Sequence, residues 1–331
     1  MESSQAVVKK QSDFFIKLKQ FSSDYTILIV IAVMFLFFSI ASPYFLTYFN
    51  IRNIFQQTTA VAITGIGASL IILSGGLDLS LGMNVCVSSC AAAWLIKFGG
   101  WNPWLALLVA MIIGAVVGTV NGVLRAYVML PIFVATLGTQ LACKGFAQII
   151  TGASPIPGMP PEIAWIGRGY IGGEEYGLPI SVVSMILLYI AVSLVLKYTK
   201  FGRYVYAIGG GAEAAYFAGI DVKRYQLLVH ILGGLFAALG GIFLMTRLDS
   251  AAITNGETYM FDCTIACVMG GMSLAGGRGK LIQSLLGALF LTIFFNGMTM
   301  LNVNPFVQNV LKGTVLVIAI TIDALRTRQR N

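Results

Sequence analysis

Stretches of predominantly apolar residues, each close to the ~20 needed to cross a bilayer as a helix, recur along almost the whole sequence. They lie near residues 25–42, 57–75, 79–96, 103–124, 131–151, 179–197, 226–246, 259–275, 281–301 and 305–323. A helix apolar for that length has no polar face to offer water, so the pattern predicts an all-α polytopic membrane protein of about ten transmembrane helices. The balance of residues agrees, with 57% apolar and 10% charged, whereas a soluble domain holds roughly 25% charged residues.

The basic residues orient the spans. If the amino terminus is cytoplasmic, Lys9, Lys10, Lys17, Lys19, Arg125, Lys197, Lys200, Arg203, Lys223, Arg224, Arg278, Lys280, Arg326, Arg328 and Arg330 fall inside, 15 of the 21 Lys and Arg. Arg52, Lys97, Arg168 and Arg247 fall outside, and Lys144 and Lys312 fall within spans, where they snorkel or neutralise a carboxylate. Residues 1–24 then form a cytoplasmic segment, residues 25–325 one transmembrane domain and residues 326–331 a cytoplasmic tail. The run from Tyr25 to Ala41 is long for a signal-peptide core and lacks a small-x-small cleavage site before Pro43, so it reads as a retained span. The basic excess is thus used in orientation; it does not point to nucleic acid.

Enzymatic and metal chemistry find little footing. Of the five cysteines, Cys86 and Cys90, and Cys263 and Cys267, form pairs four residues apart on helix faces, but His230 is the only histidine and no metal shell is completed. No paired acid and base is visible, and the one Gly-Lys, Gly279-Lys280, lacks the Ser or Thr and the preceding glycine of a phosphate loop.

Two connections are too long to be simple turns. Residues 152–178, outside, carry Pro155, Pro157, Pro160 and Pro161 with Trp165 and Tyr170, a mix that suits a short interfacial helix or lid. Residues 198–225, inside, hold Gly209-Gly210-Gly211 and then Ala212 to Ala218, a good helix former with Glu213 in its first turn and Gly219 as its stop. Tyr216 and Phe217 on that short helix have no lipid to enter and are expected to dock on a partner or on span ends; a solvated joining loop is the alternative.

Asn121-Gly122, Pro131, Phe133-Val134 and Gly138-Thr139 recur as Asn296-Gly297, Pro305, Phe306-Val307 and Gly313-Thr314. Five spans separate the copies, so the second runs in the opposite direction, an inverted internal repeat. Glycine-rich breaks fall at Ser74 to Gly82, with Gly75 and Gly76, and at Gly270 to Gly279, with Gly270 and Gly271. Such breaks let helices approach closely and free backbone groups that must border protein or a water-filled cavity. Asp78 and Asp262 beside them are candidates for a passage, or are carboxylates bonded to water or freed amides at span ends. Asn121 and Asn296 are candidates for bonding a solute or for packing between helices, and Thr139 belongs to the same set. His230 reads as a satisfied structural residue.

At these breaks the chain resembles the permease subunits of ATP-binding-cassette importers for monosaccharides, the ribose, galactose, xylose and arabinose class. The resemblance rests on Ser74 to Gly82, Thr136-Leu137-Gly138-Thr139, Gly202 to Ile220, Gly270 to Gly279, Asn296-Gly297 and Lys312-Gly313. Gly211 and Phe261 depart from the family pattern, which has Asn and an acidic residue there. The resemblance implies a dimer with a second permease copy or a paralogue, a cytoplasmic ATPase subunit that holds the ATP, and an extracytoplasmic sugar-binding protein. No cofactor is expected on this chain, and the location implied is the bacterial inner membrane. It makes the 198–225 segment, with Arg203, Gly209, Gly210, Glu213, Tyr216 and Phe217, the ATPase-coupling element. Gly75, Gly76, Asp78, Asn121, Thr139, Asp262, Gly270, Gly271 and Asn296 are the residues expected along the translocation path. An ion-coupled secondary transporter is the alternative, with Asp78 or Asp262 carrying the ion.

Overall fold

The computed structural model describes residues 26–173, 175–257 and 259–328; the expectations for residues 1–24 and 329–331 lie outside them. The described residues are mainly helical. In order come α1 (Thr26–Ala41), α2 (Tyr48–Leu73), α3 (Leu81–Lys97), α4 (Pro103–Ala126), α5 (Ile132–Thr151), α6 (Pro161–Arg168), α7 (Ile180–Tyr198), α8 (Lys200–Gly210), α9 (Ala212–Phe217), α10 (Val222–Leu248), α11 (Thr254–Glu257), α12 (Tyr259–Gly270), α13 (Leu281–Met300) and α14 (Pro305–Arg328).

Six of the described helices, α2, α4, α7, α10, α13 and α14, are long and apolar enough to cross a membrane, and α1 and α3 are shorter apolar helices. Helix α5 is long enough at 20 residues, but Gln140, Lys144 and Gln148 dilute its apolar character. Helix α12 is shorter than its apolar run. Twelve residues rise about 18 Å, and the helix stops at Gly270 because Gly271 turns the chain at φ +105°.

Helix α2 is the centre of the bundle, with 94% of its apolar window buried. It is enclosed by α7, α10, α12 and α13, while α4 lies along α10 and α3, and α5 along α3. Glycines set the closest of these approaches. Helix α4 carries Gly114, Gly118 and Gly122, one per turn, against Gly234, His230 and Leu227 of α10. A Cβ on Gly122 would sit 3.0 Å from the Leu227 Cα, and one on Gly67 of α2 would sit 2.8 Å from the Gly233 carbonyl. In a bundle that gains nothing from hiding apolar surface from lipid, such backbone-to-backbone packing is what holds helices together. His230, buried with Nδ1 2.9 Å from the Gln226 carbonyl, belongs to this seam.

The outer surface is apolar, with Leu105, Leu108, Ile112, Leu141, Ile149, Leu187 and Val317 all exposed. Of the apolar window of α14, 6% is buried. Water would not tolerate so large a patch; lipid or another protein does.

The 152–178 connection holds one short helix, α6. Its flanks form two antiparallel bridges, β1 (Ile156–Pro157) with β4 (Ser250–Ala251) and β2 (Tyr170–Ile171) with β3 (Leu178–Pro179). Trp165 of α6 lies 6.1 Å from Trp104 at the start of α4.

Candidate functional site

Three backbone segments meet where α2 ends. The last carbonyl of α2 belongs to Leu73, and Gly75 follows at φ +75°. The loop from α12 to α13 brings in Gly276 and Gly277, at φ +86° and +67°, and the Gly277 amide donates to the Leu73 carbonyl at 3.0 Å. Helix α8 brings in Gly209 and Gly210. A Cβ on Gly277 would sit 2.7 Å from the Gly210 Cα, and one on Gly276 would sit 2.6 Å from the Gly75 Cα. One on Gly209 would collide with the Leu73 carbonyl and the Gly277 amide. Side chains cannot fit at Gly209, Gly276 and Gly277; glycine is required there because chain runs against chain.

Arg125, in the last turn of α4, braces the junction. One guanidinium nitrogen donates to the carbonyls of Ser74 and Gly75, each at 3.0 Å, and another to the Ser74 hydroxyl at 3.2 Å. Its fork satisfies the carbonyls that the end of α2 leaves without helical partners. Gly76 leaves room for that guanidinium.

Helix α8 was not visible in the sequence reading; its Gly202 and glycine-rich end hid it. Thr199 caps it, with the Gly202 amide 3.5 Å from the Thr199 hydroxyl. The Tyr206 hydroxyl donates to the Gly279 carbonyl at 2.8 Å, and burial pushes its phenol above the usual range. Helix α9 follows as the sequence foretold. Gly219 ends it at φ +81°, with the Ile220 amide returning to the Ala215 carbonyl at 3.0 Å. Ala215 is its buried contact, whereas Tyr216 and Phe217 are 67% and 77% exposed and edge-to-face with each other. Arg203 and Glu213 are exposed as well. A cavity of about 660 Å³, lined by Arg125, Tyr216, Gly219 and Gln226, separates α9 from the end of α4.

The polar residues named from sequence fall into three groups. Asp78 Oδ1 accepts from the Ser80 amide at 2.8 Å and the Ser80 hydroxyl at 2.6 Å, and its Oδ2 from the Asn121 amide at 3.0 Å. Asn121 Oδ1 accepts from the Thr139 hydroxyl at 2.7 Å. This chain of bonds ties the start of α3 to α4 and α5. Asn296 forms a reciprocal amide pair with Asn50, at 2.9 and 3.0 Å, fastening α13 to α2. Asp262 pairs with Lys312, Nζ to Oδ1 2.7 Å, both mostly buried. Gly270 and Gly271 stand apart from all three groups, against Gln283 at the start of α13. Lys144 meets Glu257 at 2.8 Å on the exposed side of α5, so both lysines expected within spans meet carboxylates.

Apolar helices that corner on glycine and turn leucine and isoleucine outward are those of a multi-pass membrane protein. The chain belongs to the family described as branched-chain amino acid transport system / permease component, whose model matches residues 50–320. It is similar to the ribose import permease protein RbsC of Escherichia coli, 36% identical over 89% of this chain and 92% of that protein. It is similar also to the probable ABC transporter permease protein YphD of Escherichia coli, 37% identical over 95% of this chain and 94% of that one. The galactose/methyl galactoside import permease protein MglC of Escherichia coli is 31% identical over 91% of this chain and 93% of its own length. These relatives include the sugar permeases that the sequence motifs resembled.

Proposed function

We propose that this chain is the transmembrane permease subunit of an ATP-driven importer that passes a monosaccharide from an external binding protein into the cytoplasm. The relatives supply the substrate class, since two of them are import permeases for ribose and for galactose. The observation that carries the coupling is the exposed Tyr216–Phe217 pair on α9, beside a glycine junction that reaches both intramembrane breaks. A cytoplasmic ATPase subunit, which holds and hydrolyses the ATP, takes this pair and pushes or pulls α8 and α9 through Arg203, Gly209, Gly210 and Glu213. Gly75 and Gly277 then move with Gly209, so force arrives at the ends of α2 and α12 together. Gly75, Gly76, Asp78, Asn121, Thr139, Asp262, Gly270, Gly271 and Asn296 belong to the passage and its supports. The chain itself carries no cofactor.

In this reading ten helices span the bacterial inner membrane, α1 to α5, α7, α10 and α12 to α14, with both termini cytoplasmic. Residues 1–24 and 326–331 lie in the cytoplasm, residues 25–325 form one permease domain, residues 198–225 couple to the ATPase and residues 152–178 face the binding protein. The packing supports an inverted repeat of α2–α5 on α10–α14. Helix α4 packs on α10 and α3 as α13 packs on α2 and α12, and α5 lies on α3 as α14 lies on α12. The apolar faces of α5 and α14 are left for lipid and for a second permease, a copy or a paralogue.

An ion-coupled carrier needs a carboxylate able to take up the ion. Asp78 is bonded by Ser80 and Asn121, and Asp262 is paired with Lys312, which favours the ATP-driven reading. The test is uptake by the complex purified with its native partners in sealed vesicles. Transport of ribose or galactose should require ATP on the ATPase side; transport that runs on a proton or sodium gradient with ATP absent would refute the proposal.

A further inference from the structure

A cavity of about 320 Å³ lies where α2, α10, α12, α13 and α14 converge. Its wall joins apolar Leu291 and the ring of Phe295 to a set of polar side chains, among them Gln57, Tyr259, Asp262, Asn309 and Lys312. We infer that this cavity is a transit subsite for one neutral polyhydroxylated solute, a monosaccharide on the function proposed above, on which this inference rests.

Two of the three charges on the wall match each other, and the third, Arg247, is bonded to a neutral oxygen. Lys312 lies 2.7 Å from Asp262 and 4.8 Å from the centre of the Phe295 ring, and Arg247 donates to the Asn53 amide oxygen at 3.0 Å. The amide of half-buried Gln57, the hydroxyl of half-buried Tyr259 and the amide of exposed Asn309, by contrast, have no hydrogen-bond partner among the described residues. A polar group within a bundle of apolar helices costs free energy unless something bonds to it. Amides and a phenol both donate and accept, as sugar hydroxyls do, so neutral hydroxyls meet them without disturbing the ion pair. The ammonium of a zwitterion would have to displace Lys312 from Asp262 to find its counter-charge. Size sets the same limit, for ligand sites run from about 300 to 1,000 Å³, and this one has room for a single ring.

The groups are also few and spread over separate helices, Gln57 on α2, Tyr259 on α12 and Asn309 on α14. A solute held by all three is released when any one helix moves. That is what a passage needs: enough polarity to replace water, and contacts that cannot all survive a conformational change.

The experiment uses the full complex of permease, ATPase and binding protein in vesicles, with radiolabelled ribose, galactose and leucine as probes. Tyr259→Phe removes one oxygen, and Asn309→Leu removes one amide. Each should lower sugar uptake by about tenfold, equal to 1.4 kcal/mol lost at the subsite, relative to permease abundance, and should change the ratio of ribose to galactose carried. Unchanged uptake and an unchanged ratio in both variants would overturn the subsite and leave the importer reading standing. A wild-type complex that carries leucine and neither sugar would overturn both. Should a variant fail to accumulate, Asn309→Cys takes its place. A water-soluble thiol reagent should label it about threefold more slowly, near 0.6 kcal/mol, while ribose is being transported, and labelling indifferent to ribose would count against the subsite.

Discussion

The Gly277 amide donates to the Leu73 carbonyl at 3.0 Å, so the loop leaving α12 is hydrogen-bonded to the last turn of α2, about 200 residues earlier in the chain. Gly209, at the end of α8, packs over that bond. The backbone runs from Gly209 through Gly211 directly into α9, so α9 is joined to this contact with no side chain in between.

Gly209→Val should therefore do more harm to coupling than to folding. A side chain there must displace the Leu73 carbonyl or the Gly277 amide, an overpacking strain of about 1–3 kcal/mol. Sugar uptake per ATP hydrolysed in vesicles should fall while membrane abundance changes by much less. Gly210→Ala, one residue on, has open space around it and serves as the control that keeps coupling.

Tyr216→Asp with Phe217→Asp should leave insertion and abundance normal, because both rings stand in the open and support nothing within this chain. Uptake should be lost and co-purification of the ATPase weakened. Full uptake by the double variant would remove α9 from the coupling path.

Asp78→Asn tests whether a carboxylate is required. The amide can still accept from Ser80, but its NH2 faces the NH2 of Asn121 where Oδ2 accepted a bond. A cost of about 1–3 kcal/mol in thermal stability is expected for the lost bond. Uptake should persist at a reduced level, stay dependent on ATP and ignore ionophores; abolition by an ionophore at constant ATP would restore the ion-coupled alternative.

Asn296→Leu should destabilise the protein by about 1–3 kcal/mol, since it strands the buried amide of Asn50. Adding Asn50→Leu should recover part of the loss, measured by thermal unfolding in detergent. A double variant whose loss equals or exceeds the sum of the two single losses would show that the pair does not act as a unit.

The apolar runs made the helices legible, and Gly219 made the end of α9 legible, because both depend on neighbours in the sequence. Lys312 and Lys144 read as snorkelling or as neutralising a carboxylate, and only the fold shows that each meets one, Asp262 and Glu257. What stayed hidden was partnership at a distance. Gly75, Gly209 and Gly277 each look like a local break, and nothing in their spacing says that they touch. Asp78 was legible as a polar residue at a break, but its bonds to Ser80 and Asn121 required the fold. Helix α8 was missed because its own glycines read as loop, although Thr199 stands as its cap and Arg203, Tyr204 and Tyr206 follow at helical spacing.

The row of glycines that seats α4 on α10 has a mechanical consequence. Where rotamers separate two helices, the helices slide by exchanging rotamers; Gly114, Gly118 and Gly122 give α10 no such lubricant. The two helices are expected to travel as one plank. Glycine seats α13 on α12 in the same way, through Gly270 and Gly287, so relative motion is left to α14, which is seated most lightly. Joining α4 to α10 by an engineered disulfide should accordingly leave uptake intact, whereas joining α14 to α12 should halt it.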